Sequence, residues 1–217
     1  MHQTQFGPEH PDTLSSMDTL AVVLAGMGKL KEAAELHRTR LDVTKRILGP
    51  EHPDTLASMN NLAVVLAGMG NLNEAEKLLR TALEGREMIL GKEHPGTLTS
   101  MNNLAVVLEG MGNLKEAEQL HRTVLKGREK ILGKEHPGTP TSMNNLALVL
   151  KKMGNLKEAA ELHRTALEAT EKILGPEHPD TLVLMKNLAS VVKKIGKLKD
   201  AAELYRTALE VREKIWA

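Results

Sequence analysis

The 217-residue chain has no cysteine and only one residue each of phenylalanine, tyrosine and tryptophan. Without cysteine there is no disulfide framework and no thiolate ligand for zinc, a composition that suits a reducing, cytoplasmic setting. Without aromatics, the core must be assembled from Leu, Ala, Val, Ile and Met, with 11 methionines as adaptable fillers. No apolar run approaches the roughly 18 residues of a membrane span. The stretch from Met1 to Phe6 lacks the apolar centre of a signal peptide. Net charge is nearly absent too, since 29 basic against 28 acidic residues leave +1, with no general field to draw nucleic acid. A protein without a membrane or nucleic-acid partner is expected.

What is present is repetition. The string Glu-His-Pro-(Asp/Gly) recurs with its histidine at His10, His52, His94, His136 and His178, a period of 42 residues. A second echo runs through Met59-Asn60-Asn61-Leu62, Met101-Asn102-Asn103-Leu104 and Met143-Asn144-Asn145-Leu146. A fixed period of this size marks a solenoid, whose units bury their apolar faces against their neighbours. The units run approximately 7–48, 49–90, 91–132, 133–174 and 175–217, and 1–217 reads as a single repeat domain.

Each unit encodes two helices. After Pro53, Leu56, Met59, Leu62, Ala63, Leu66 and Met69 fall on one helical face. Gly70, like Gly28, Gly112, Gly154 and Gly196, sits where a helix ends in a left-handed residue. Asn71 followed by Glu74 is close to a capping box for a second helix, whose inner face is Leu72, Ala75, Leu78, Leu79, Ala82 and Leu83. Proline after each Glu-His opens the next unit, at a place where a first turn tolerates it. Pro140 replaces the leucine of other copies (Leu14, Leu56, Leu98, Leu182), so the first helix of the fourth unit is expected to start late or pack more loosely.

The positions Leu62-Ala63, Gly70, Leu72, Ala75 and Ala82 match the small and large packing sites of the tetratricopeptide repeat, which this chain resembles. The 42-residue unit, with Asn-Asn-Leu-Ala and Leu-Gly-(Pro/Lys)-Glu-His-Pro, is similar to the kinesin light chain type of that repeat. The resemblance covers residues 7–217 and implies an all-α, right-handed superhelical solenoid of five helix-turn-helix repeats. A kinesin light chain also carries an N-terminal heptad coiled coil. None is read here, so the resemblance implies a cargo-binding type of module rather than a motor subunit.

In that family the stacked first helices line a concave groove that holds a peptide. Carried across by offset, the resemblance implies groove positions at Asn60, Asn61, Val64 and Ala67 in the second unit and Asn102, Asn103, Val106 and Glu109 in the third. Those of the fourth are Asn144, Asn145, Leu148, Lys151 and Lys152. Those of the fifth are Lys186, Asn187, Ser190, Lys193 and Lys194. Asp18 and Thr19 break the pattern in the first. A carboxamide carries both a donor and an acceptor and can pair with a peptide backbone, or equally with a neighbouring helix. Lysines gather toward the last repeats, which favours acidic residues in a ligand.

No phosphate loop, cysteine nucleophile or His-Glu-x-x-His pair occurs, and chemistry that needs one asymmetric constellation fits poorly with residues copied in every unit. No enzyme, metal or cofactor is expected. The Glu-His-Pro histidines are expected to shape the connector and start each first helix, and His37, His121 and His163 to be partly buried. The expected function is a protein-interaction scaffold that holds a partner's peptide in the groove. The alternatives are a self-assembling module, with Phe6 and Trp216 on terminal faces that pair end to end, or the repeat arm of a larger sensor.

Overall fold

A computed structural model describes residue 7 and residues 9–216, with side chains to Lys214. Among them there are ten helices and no strand. Phe6 and the Trp216 side chain, candidates for end-to-end pairing, lie outside the described residues. Two compact units are formed, Met1–Gly112 and Asn113–Ala217. The first holds α1 (Pro11–Gly26), α2 (Leu30–Leu48), α3 (Pro53–Gly68), α4 (Leu72–Leu90) and α5 (Pro95–Gly110). The second holds α6 (Leu114–Leu132), α7 (Gly138–Met153), α8 (Leu156–Leu174), α9 (Pro179–Ile195) and α10 (Leu198–Trp216). Within each unit every helix packs on the next in sequence, and α3 also meets α5. Odd-numbered helices are the first of each repeat and even-numbered helices the second.

The core is aliphatic, as the composition requires. Leu56, Leu66, Leu79, Leu104 and Leu108 are sealed in the first unit, and Leu146, Leu150, Val149 and Val191 in the second. Each first helix is stopped by a glycine in the left-handed region, with Gly70 at φ 82°. Gly70 is followed by a turn that the capping-box reading did not anticipate. Asn71 has φ −79° and ψ 57°, and the Leu72 amide donates to the Gly70 carbonyl at 2.9 Å. This is an inverse γ-turn, and its ψ lies outside the extended range that lets a cap side chain reach the N2 and N3 amides. The Asn71, Asn113 and Asn155 side chains therefore cap nothing, and Lys29 occupies the same turn equally well.

Pro140 is accommodated by shortening the first turn. In α5 the Leu98 amide donates to His94 O at 3.0 Å. Proline has no amide to do this, so the Thr139 amide takes His136 O at 2.8 Å, and α7 begins at Gly138, not at the proline. The late start is as expected, whereas the looser packing is not seen, since Pro140 is buried.

Candidate functional site

The first helices set the surface, and the Glu-His-Pro histidines set the first helices. His10, His52, His94 and His178 are N-caps whose Nδ1 accepts the amide two residues on, at 3.0–3.2 Å. His136 accepts the Gly138 amide in the same way at 3.1 Å. The imidazole thus satisfies one of the donors that a helix start leaves orphaned. Among the described residues no group of three metal-ligating side chains is found.

Asn60 is set apart from the other asparagines by depth. Asn60 is only 6% exposed, and its Oδ1 accepts from Asn103 Nδ2 at 3.1 Å and Ser100 Oγ at 3.4 Å. In the second unit Asn144 Oδ1 accepts from Asn187 Nδ2 at 2.9 Å. Asn60 is therefore turned into the seam between α3 and α5 and does not line the open face expected of it. The physical reason is helical phase: position 60 lies about 100° from 61, on the side where the next first helix packs. Asn61, Asn102, Asn103, Asn144, Asn145 and Asn187 are half-buried at the edge of the exposed stripe. Asn61 makes no hydrogen bond among the described residues, because the position that accepts from Asn103 and Asn187 in later repeats is here Asp18, which is engaged elsewhere. Asp18 Oδ2 stands 2.9 Å from Arg40 Nε and Oδ1 stands 3.3 Å from His37 Nδ1.

Beyond the asparagines the two units differ. In the first, Val64 and Val106 are half exposed and continue an apolar stripe from Val22, with Glu109 as its charged groove position. In the second, Leu148 is half-buried and the face is cationic, with Lys152, Lys186, Lys193 and Lys194 exposed and Lys151 partly covered. Lys151 Nζ donates to Ser190 Oγ at 2.8 Å. Desolvation, then the nearby charge of Lys194, lowers its pKa. Among the described residues none of Lys151, Lys186, Lys193 and Lys194 pairs with a carboxylate.

His37, His121 and His163 are buried more completely than expected, at 3%, 0% and 0% exposed. Burial holds His163 down at about pKa 4, with the Lys151 charge adding to the effect. Burial also lowers His37, although Asp18 pulls the other way.

Sequence reading passed over the arginines that latch one repeat to the next. Arg86 Nη1 donates to Gly96 O at 2.8 Å and Ser100 Oγ at 2.9 Å, and Arg128 does the same to Gly138 O and Ser142 Oγ at 3.1 and 2.8 Å. The sequence shows where the latch is lost: one repeat on from Arg128 and Ser142 both partners change, to Thr170 and Leu184, and one repeat before Arg86 the arginine alone changes, to Thr44. The shorter threonine leaves a cleft of about 400 Å³ lined by Asn144, Thr170, Leu174 and Leu184. Among the described residues no helix is long and apolar enough to cross a membrane.

Comparison with known proteins places these features in context. A family model described as tetratricopeptide repeat matches residues 24–87, 56–130, 101–172 and 138–214. No curated protein matches the sequence. A crystal structure from Podospora anserina, described as a putative kinesin light chain with nearly identical TPR-like repeats, is 31% identical. It aligns over 95% of this chain and 98% of its own, with a TM-score of 0.82. BtubC (BKLC) from P. vanneervenii is 20% identical with a TM-score of 0.82, over 94% of this chain and 81% of that one. MamA from Desulfovibrio magneticus RS-1 is 15% identical with a TM-score of 0.66, over 96% and 97%. These last two share the fold.

Proposed function

Because the chain belongs to the tetratricopeptide repeat family, in its 42-residue kinesin light chain-like form, we propose that it is a non-enzymatic scaffold holding a peptide segment of a partner protein. The peptide lies on the exposed faces of the first helices. The observation that carries this reading is the lysine face of α7 and α9, where Lys151, Lys186, Lys193 and Lys194 have no carboxylate partner among the described residues. Lys151 is desolvated beside Lys194. Cations held together without counter-charge gain from an anionic ligand, so a segment bound on the second unit carries Asp or Glu. Taken by itself, the first unit's face offers amide groups at Asn61 and Asn103 and shallow apolar seats at Val64 and Val106, which suit an uncharged peptide. A single neutral hydrogen bond nets about 0.5–1.5 kcal/mol, so several repeats must contribute.

A peptide-library capture tests this by comparing the chain with Lys193→Glu, Lys194→Glu. Both side chains are exposed, so the fold should be unaffected. The native chain should enrich acidic segments and the charge-reversed variant should lose them while retaining uncharged ones. Equal capture of the same acidic peptides by both proteins would overturn the proposal.

A further inference from the structure

We propose that the α9–α10 hairpin opens from α7–α8 on its own in the free chain, and that an acidic segment bound across the lysines of α7 and α9 holds it closed. The closing step rests on the peptide-binding reading above; the opening step does not.

Comparing the junctions between repeats carries the opening step. Each junction sets a second helix against the next repeat's first helix. At α4–α5 and α6–α7, Arg86 and Arg128 latch the two by donating to a first-turn carbonyl and a serine hydroxyl. At α2–α3 Thr44 replaces that arginine, yet the tie persists. Arg40, one turn earlier on α2, donates to Ser58 Oγ and to Asp54 O at 3.5 Å, the same two acceptors by register. The α8–α9 junction has neither device. Thr170 takes the arginine's place, Ala166 stands one turn before it, and Leu184 replaces the acceptor serine. The Thr170 side chain bonds no described residue.

A second tie is lost at the same place. Arg38 pairs with Glu74 at 3.0 Å to join α2 to α4, and Arg122 with Glu158 at 2.8 Å to join α6 to α8. Their counterparts on α8 and α10, Arg164 and Asp200, bond no described residue. Clefts of about 400 and 590 Å³ open where the ties are missing, one beside Thr170 and Leu184, the other beside Arg164 and Asp200. What holds the hairpin is its aliphatic core, with Asn187 Nδ2 on Asn144 Oδ1 at 2.9 Å and Lys151 Nζ on Ser190 Oγ at 2.8 Å. That α7–α9 seam is poised for an anion. Desolvation, then the charge of Lys194 on α9, lowers the pKa of Lys151 on α7. A carboxylate seated between the two ammonium groups turns their repulsion into attraction from both helices, which closes the hairpin on α7. A helix released from its packing is marginal in water, so opening exposes its amides to exchange.

Native-state hydrogen exchange tests both steps, on the free chain and with hexaglutamate, hexaglutamine serving as the uncharged control. Thr170→Arg with Leu184→Ser rebuilds the latch and should slow the α9 and α10 amides of the free chain about tenfold, as expected of a hydrogen bond to a charged group. Leu184 is buried, so Asp200→Glu at an exposed site provides a second repair, with slowing of about two- to fivefold. Hexaglutamate should slow the same amides in the native chain, and hexaglutamine should not. Equal exchange of α9 and α10 in the free native and repaired chains would overturn the opening, whatever the peptide does. Hexaglutamate that binds by fluorescence anisotropy yet leaves this exchange unchanged would overturn the closing while sparing the peptide-binding reading. Hexaglutamate that binds no better than hexaglutamine would sink that reading and the closing step with it.

Discussion

At position 163 an imidazole is sealed from water, and neither ring nitrogen finds a hydrogen-bond partner among the described residues. A buried polar atom left unpaired costs about 1–3 kcal/mol. Leu79 fills the same place two repeats earlier at 0% exposure, so His163→Leu should stabilise the protein by about that amount. The pH dependence provides a second signature. The folded chain takes up the His163 proton near pH 4 and the unfolded chain near 6.5. Its contribution is therefore full above pH 6.5 and is lost as the pH falls toward 4, a difference of roughly 3 kcal/mol. Urea unfolding at several pH values should show the gap between the native chain and His163→Leu widening over that window. A constant gap would mean that His163 is not held neutral.

The histidine caps admit a similar test at a site free of competing charge. Gly96, not aspartate, stands two residues after His94, and its amide is held at 3.0 Å. Removing such a cap costs about 0.5–2 kcal/mol. His94→Ala should lose about that much stability, and His94→Asn, which can accept the same amide, should recover most of it.

Among elements, Arg38–Glu74 ties α2 to α4 and Arg122–Glu158 ties α6 to α8. Arg164 and Asp200 stand one repeat on from Arg122 and Glu158, yet they form no ion pair among the described residues and instead line a cleft of about 590 Å³ with Leu188, Val192 and Leu204. Aspartate is one methylene short of the glutamate used elsewhere. Asp200→Glu should restore the bridge and tighten α10 on α8 by less than about 1 kcal/mol, as exposed pairs do. A double-mutant cycle with Arg164→Ala would measure the coupling.

How far this was legible in sequence differs by element. The 42-residue echo, Pro53 and Gly70 were enough to set α3 and α4, because chain direction at a proline or a left-handed glycine is a local matter. The Asn71–Glu74 pair misled, because a motif reports composition at an offset, whereas capping depends on a ψ angle that the preceding glycine turn sets. Asn60 misled for another reason. Adjacent asparagines look alike in a string, but the helix turns one toward the next repeat and the other toward the open face. The Arg86–Ser100 latch joins helices 14 residues apart, and only comparison between repeats exposes such a pair.

For the whole molecule, a net charge of +1 conceals an uneven placement, with lysines 151, 152, 186, 193 and 194 all on α7 and α9. Long-range attraction should be weak and local attraction strong. Exposed charges are screened over about 8–10 Å at ordinary ionic strength. Affinity for an acidic peptide should therefore fall roughly tenfold between about 0.05 M and 0.5 M salt, while an uncharged peptide of the same shape should bind equally throughout. Alkaline pH should act in the same direction. Desolvation and Lys194 lower the Lys151 pKa, so this ammonium loses its proton below the usual lysine range, and acidic-peptide affinity should begin to fall there first. Fluorescence anisotropy with the two peptides, titrated in salt and then in pH, reads both effects. Lys151→Arg, which keeps its charge at high pH, should remove the early alkaline fall and leave the salt dependence in place. If the two peptides instead respond alike to salt, the lysines are a solvated face and recognition rests on the amides and valines.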